Sequence, residues 1–193
     1  MGKSRIDFYK PESVGQWLIF LAAIGITLSS PAGTRAFLKE LNKYLEERRG
    51  KDARQYKTQQ LSQAIYRLKK RKLINIKELS NGETRIKLTE KGRKRKIQYD
   101  LENMKIPDQA SWDGKWRILM FDIPESKRES RDSLTNKLRN LGFIQFQKSV
   151  WVYPYPCAEE IDFVTEYFSI AENVNLITVR IENDKPLRKE FKL

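Results

Sequence analysis

Residues 58–88, TQQLSQAIYRLKKRKLINIKELSNGETRIKL, change hydrophobic period once, and that change decides the fold of the first half of the chain. Leu61, Ile65 and Leu68 line one side of a helix predicted from Thr58 to Lys72, with the Thr58 hydroxyl able to cap its start. From Ile74 the period falls to two, since Ile74 and Ile76 alternate with polar residues up to Leu79, and Ile86 and Leu88 alternate on the return. Ser80-Asn81-Gly82-Glu83 lies between, and Asn-Gly is the dipeptide that best accepts the positive φ of a tight hairpin turn. The segment reads as a helix followed by a two-stranded hairpin.

Two more helices are predicted upstream. One spans the apolar run Val14–Leu28, and the other spans Thr34–Arg48, where Phe37, Leu38, Leu41 and Leu45 recur at helical spacing after Pro31 and Gly33. The first run imitates a secretory signal or a membrane span, but about fifteen residues reach only ~22 Å as a helix against a hydrocarbon core of ~30 Å. A buried core helix and a cytoplasmic protein are therefore expected, with no membrane contact. Thr89–Tyr99 reads as a basic helix leading out of the hairpin. Three helices and then a basic hairpin is the winged helix-turn-helix plan, in which the third helix enters the major groove of double-stranded DNA.

Charge supports this reading by its location. The 193-residue chain carries a net charge of +13, and the whole surplus lies in residues 35–100, with 21 Lys and Arg against 8 Asp and Glu. Such a segment attracts phosphate and gains further by releasing condensed counterions, whereas residues 101–193 are near neutral. The chain has no His and only Cys157, which removes zinc sites, disulfides and Ser/His or Cys/His catalysis.

Away from its apolar stripe the third helix and its start offer Lys57, Thr58, Gln59, Gln60, Gln63, Tyr66, Arg67, Lys70 and Arg71. Gln and Arg can pair bidentately with adenine and guanine edges, so these are the candidate DNA contacts of the groove-reading helix. A solvated polar face is the plain alternative for any one of them. Arg85 and Lys87 are the candidate contacts on the wing. Lys91, Arg93 and Lys94, with Arg95 and Lys96, suit phosphate contact or solvated surface better than base reading. The stretch from Leu61 to Lys91 resembles the recognition helix and wing of bacterial and archaeal winged helix regulators.

The second half is organised differently. Residues 101–111 read as a linker between a DNA-binding domain at 1–100 and a second domain at 112–193. Ile118-Leu119-Met120-Phe121 suits a central strand, and a helix carrying Leu134, Leu138 and Leu141 ends at Gly142. Strands at 143–146 and 149–153, a helix at 158–168 and a strand at 174–181 complete a βαββαβ order. The fold class is therefore α+β, a winged helix domain followed by a ferredoxin-like domain with two helices on one face of an antiparallel sheet.

Residues 112–154, WDGKWRILMFDIPESKRESRDSLTNKLRNLGFIQFQKSVWVYP, resemble the middle domain of the phenylacetate-catabolism repressor family, PaaX. That domain is itself similar to the small ferredoxin-like Cas adaptation proteins of CRISPR systems. The matching marks are Trp116, Arg117, Phe121-Asp122-Ile123-Pro124, Arg128, Arg131, Leu138, Gly142, Gln147 and Ser149-Val150-Trp151. The resemblance implies a homodimeric DNA-binding regulator, a repressor in type, paired through the ferredoxin-like domain and reading a pseudo-palindromic site. PaaX repressors usually carry a further domain beyond this one, and no effector ligand is assigned.

Asp122 carries the alternative. In the Cas adaptation family the matching Asp faces its twin across a dimer and is credited with metal-dependent nuclease activity, so the resemblance also implies a possible Mg²⁺ site and a CRISPR-adaptation-type factor. Otherwise no cofactor is expected. The structural reading of Asp122 is that it caps the following helix or accepts a bond from Ser126. A third reading is an architectural DNA-binding protein without sequence preference.

Overall fold

The computed structural model describes residues 11–50, 55–107 and 109–193, which fall into two compact units, 11–102 and 103–193. The mixed α+β class expected from the sequence is present, with helices and antiparallel sheets in both units.

Helix α1 (Val14–Ile24) opens with a reciprocal cap: Gln16 N donates to the Ser13 hydroxyl at 3.2 Å, and Ser13 N donates to the Gln16 side-chain oxygen at 3.1 Å. It ends short of the expected Leu28, because Gly25 takes the left-handed conformation (φ 78°) that closes a helix at little steric cost. The next residues become strand β1 (Thr27–Leu28). It pairs Thr27 with Arg85 and Leu28 with Thr84, and Ile86 N donates to Ile26 O at 2.9 Å. The hairpin expected to be two-stranded is therefore part of a three-stranded sheet, β1-β3-β2. The apolar run hid this, since buried strand and buried helix look alike without a period.

Helix α2 (Arg35–Arg49) is capped by Thr34, whose hydroxyl accepts from Phe37 N at 3.1 Å. Helix α3 (Thr58–Lys70) begins one residue earlier than the expected cap allows. Lys57 is the N-cap, and the Gln60 side chain accepts from Lys57 N at 3.0 Å, so Thr58 is the first helical residue. Strands β2 (Ile74–Glu78) and β3 (Thr84–Leu88) follow, joined through a turn in which Gly82 has φ 82°. Helix α4 (Glu90–Asn103) runs past the expected Tyr99 into the stretch read as linker. One core unites Trp17, Leu18 and Leu21 of α1, Phe37, Leu41 and Leu45 of α2, Leu61 and Leu68 of α3, and Leu73, Ile74 and Ile86 around the sheet.

In the second unit β4 (Trp116–Phe121), a 3-10 turn at Glu125–Lys127, α5 (Arg128–Asn140), β5 (Ile144–Gln147), β6 (Val150–Tyr153), α6 (Ala158–Tyr167) and β7 (Val174–Val179) reproduce the βαββαβ order. The sheet runs β5-β6-β4-β7 with every pairing antiparallel, which puts the first and third strands at the centre. A further helix, α7 (Lys185–Phe191), was not expected, because seven residues with Pro186 in the first turn give too short a period. Its Leu187 and Phe191 pack with Trp116, Ile118, Val152 and Val179 on one sheet face. Leu119, wholly buried and outside that cluster, belongs to the opposite face.

The residues that mark the family resemblance hold this arrangement together. Trp116 Nε1 donates to Asp184 Oδ2 at 3.0 Å, and Arg188 Nε donates to Asp184 Oδ1 at 2.8 Å while its guanidinium lies 4.7 Å from the Trp112 ring. Both donors hold the Asp184 carboxyl below its ordinary range, the Arg188 bond being the larger cause. Arg117 grips both Asp113 oxygens (2.8 and 2.7 Å) and donates to the carbonyls of Lys115 and Pro154.

Candidate nucleic-acid interface

Helix α3 buries Leu61 and Leu68 and turns its opposite side to solvent. Gln59, Gln63, Tyr66, Arg67 and Lys70 fall within one exposed stripe, since their offsets of four, seven, eight and eleven residues return to the same side of a 3.6-residue helix. Tyr66 is 64% exposed, far above what its size warrants in a core. Arg67 Nη2 donates to Gln63 Oε1 at 3.3 Å, and Lys70 Nζ lies 6.0 Å from the Tyr66 ring centre. The stripe is thus a row of side chains held by one another, with unused donors facing out. Gln60 stands apart, because its side-chain oxygen is engaged with the Lys57 backbone at the helix start. Lys57 and Thr58 sit exposed at that start, and Arg71 at the far end.

The β2–β3 hairpin adds a second charged surface. Thr84 and Ile86 of β3 are buried, so Arg85 and Lys87 between them point outward. Across β2 the register sets Lys77 opposite Arg85 and Asn75 opposite Lys87. Lys77 was missing from the sequence-based candidates; only the strand register reveals that it shares the face of Arg85. Like charges directly opposed on neighbouring strands weaken a sheet, which makes such a pair costly unless an anion joins it. Arg85 Nε reaches Thr27 Oγ1 at 3.4 Å on the other side.

The basic run on α4 divides. Arg93 Nη2 donates to Glu90 Oε2 at 2.7 Å, and this bond lowers the Glu90 carboxyl from its usual range. Arg95 lies 4.1 Å from the Tyr99 ring centre and donates to Gln98 at 3.1 Å. Lys96 is buried in an ion pair with Asp100 at 2.8 Å, so it is structural and not surface. Lys91 and Lys94 remain exposed.

Asp122 is exposed and lines two open cavities, of about 540 and 470 Å³. The cap expected of it is not formed: the turn that follows starts at Pro124, and among the described residues no hydrogen bond reaches the Asp122 carboxylate. Its backbone N–H donates to Asn173 O at 3.0 Å. Glu125 and Asp132 share one cavity with it, but Glu125 is paired with Arg131 at 3.0 Å and Asp132 stands 3.8 Å from Arg128. Among the described residues no group of three or more His, Cys, Asp or Glu stands ready for a metal ion. Magnesium takes one or two carboxylates beside water and phosphate, and the described residues of one chain offer the exposed Asp122 carboxylate as a single such donor. Among them, too, no helix is long and apolar enough to cross a membrane.

Residues 109–190 match the PaaX protein central Cas2-like domain. No curated protein matches the chain. Among solved structures, the uncharacterized protein Rv0674 from Mycobacterium tuberculosis is similar at 18% identity and a TM-score of 0.36. The match covers 70% of this chain and 53% of that one, so the chain spans about half the length of that protein.

Proposed function

With a PaaX-like central Cas2-like domain at residues 109–190, we propose that this protein is a cytoplasmic DNA-binding transcriptional regulator of the repressor type. Residues 11–102 act as its winged helix-turn-helix, with α3 in the major groove and the β2–β3 wing on the adjacent backbone. The observation that carries the reading is the exposed stripe Gln59, Gln63, Arg67 and Lys70 on α3, taken with the outward cations Lys77, Arg85 and Lys87 of the wing. Base-edge readers beside phosphate binders are what sequence-selective DNA recognition requires.

The second unit serves as the dimer platform. The side of its sheet that carries Trp116 also carries Ile118 and Met120, with Val150 opposite Met120 and Ile177 opposite Ile118. Helix α7 covers the Trp116 end of this face, whereas Met120 and Val150 are half-buried and Ile177 is 40% exposed, so the uncovered end is the strip offered to a second copy of the chain. Two-fold pairing would set the spacing of two half-sites in a pseudo-palindrome.

Selection of bound duplexes from a random pool by the full chain, with the particle mass measured by sedimentation, tests this. A recovered inverted repeat and a dimer mass are expected. Equal affinity for all duplexes at physiological salt would replace the regulator with an architectural protein. Mg²⁺-dependent cleavage of DNA or RNA that is lost in Asp122→Ala would establish a nuclease instead.

A further inference from the structure

A second set of cations lies on α2, outside α3 and the wing, and the inference drawn from it rests on the DNA-binding reading above. Arg35, Lys39 and Lys43 occupy successive fourth positions of α2, and all three are exposed. Like charges at that spacing repel along a helix.

Two of the acids nearest in sequence are committed elsewhere, and the third, Glu47, lies one turn beyond Lys43 at the end of the row. Glu40 accepts from Ser29 N at 2.9 Å and from Ser30 Oγ at 3.1 Å, and Glu46 accepts from Gln55 Nε2 at 2.8 Å. Among the described residues none of the three cations has an ion-pair partner. They line one open cavity of about 890 Å³ together with Glu40 and Glu46, whose oxygens are engaged as above, and with Gln55 and Thr58, the residues that lead into α3. Asn42 fixes this approach by donating to Tyr56 O at 2.8 Å and accepting from Tyr56 N at 3.3 Å. The row of charge and the start of the groove-reading helix therefore border the same opening.

We propose that Arg35, Lys39 and Lys43 bind successive phosphates of the DNA strand beside the groove that α3 enters. They form a backbone clamp separate from the wing. Phosphates fit the observations because three cations in a row, none of them in an ion pair among the described residues, match a polyanion of regular charge spacing, and counterion release adds to each contact. The clamp sets register and affinity and carries no sequence preference.

The test compares the full chain with an Arg35→Ala/Lys39→Ala/Lys43→Ala variant on a random-sequence duplex of about 30 base pairs, from about 50 to about 200 mM salt. Each lost phosphate contact lowers the slope of log affinity against log salt by about 0.9, so a slope shallower by about 2 to 3 is expected. The duplex sequences selected from a pool should not change. A charge-preserving variant, Arg35→Lys/Lys39→Arg/Lys43→Arg, should keep the original slope. An unchanged slope in the alanine variant, an altered sequence preference, or loss of slope in the charge-preserving variant each overturns the clamp and leaves α3 as reader. Failure of the unaltered chain to bind any duplex overturns both.

Discussion

Gly92 of α4 lies against the backbone carbonyl of Leu73, close enough that a methyl group at residue 92 would overlap the oxygen. Thr89 closes the same corner, donating from its N–H to Leu73 O at 3.1 Å and from its hydroxyl to Lys72 O at 2.5 Å, while Gly92 N donates to that hydroxyl at 3.0 Å. Helix α4 is thereby latched to the end of α3, where the chain turns into the wing.

Gly92→Ala should therefore destabilise the first unit. On a solvent-facing helix the same change stabilises by about 0.5 to 1 kcal/mol, but overlap with immobile backbone costs about 1 to 3 kcal/mol. Denaturant unfolding of the variant gives the sign directly. A stabilised Gly92→Ala variant would show that α4 does not approach Leu73 this closely.

Under the proposed function, Arg67 and Lys94 separate base reading from backbone contact. Arg67→Ala should lower affinity for a selected duplex by about 1 to 3 kcal/mol and relax preference at one position. Lys94→Ala should weaken all duplexes alike. Lys77→Ala belongs with Lys94, and because it also removes the repulsion facing Arg85 it should raise stability slightly while weakening binding. Paired titrations on selected and scrambled duplexes distinguish these patterns.

Acid should loosen the second unit through Asp113. The hydrogen bonds from Arg117 hold its carboxyl at about 2, against an ordinary 3.8, with burial opposing the shift. A lowered carboxylate contributes its stability fully above the ordinary value and loses it as pH falls from about 4 towards about 2. Thermal midpoints of the unaltered chain should fall more steeply across that window than those of Asp113→Asn, and the gap between the two should close at its acid end. Parallel curves would remove Asp113 from the acid response.

Cys157 should be silent in the folded chain. It is 1% exposed, and burial, helped by the nearby Glu160 charge, pushes its thiol up to about 12. Iodoacetamide at mildly alkaline pH should label it only after denaturation, since the thiolate is the nucleophile. Equal labelling rates in both states would contradict its burial.

Periodicity made α2, α3 and the β2–β3 hairpin legible, because each buries one face and leaves the other wet, as Leu61 and Leu68 do against Gln63 and Arg67. It failed where burial is on all sides: β1 vanished into the apolar run after α1, and only the left-handed Gly25 marks where the helix stops. The stripe on α3 was readable from spacing alone. Lys77 was not, because its neighbour Arg85 is fixed by strand register across the turn, and neither was the bond that ties the exposed Gln60 to the helix start. Lys96 looked like surface within a basic run, and its burial depends on the acid one turn on, Asp100.

The short strand β1 has a further effect on the wing. With β2 along one edge and Thr27–Leu28 along the other, β3 is hydrogen-bonded on both sides at Thr84 and Arg85. A hairpin that projects alone must be ordered when it docks, and that loss of conformational freedom subtracts from affinity. Here the backbone beneath Arg85 and Lys87 is ordered during folding, so under the proposed function the hairpin would meet DNA as a preorganised surface. Slow amide hydrogen exchange at Arg85 and Ile86 in the free protein, unchanged on complex formation, is the signature of that rigidity.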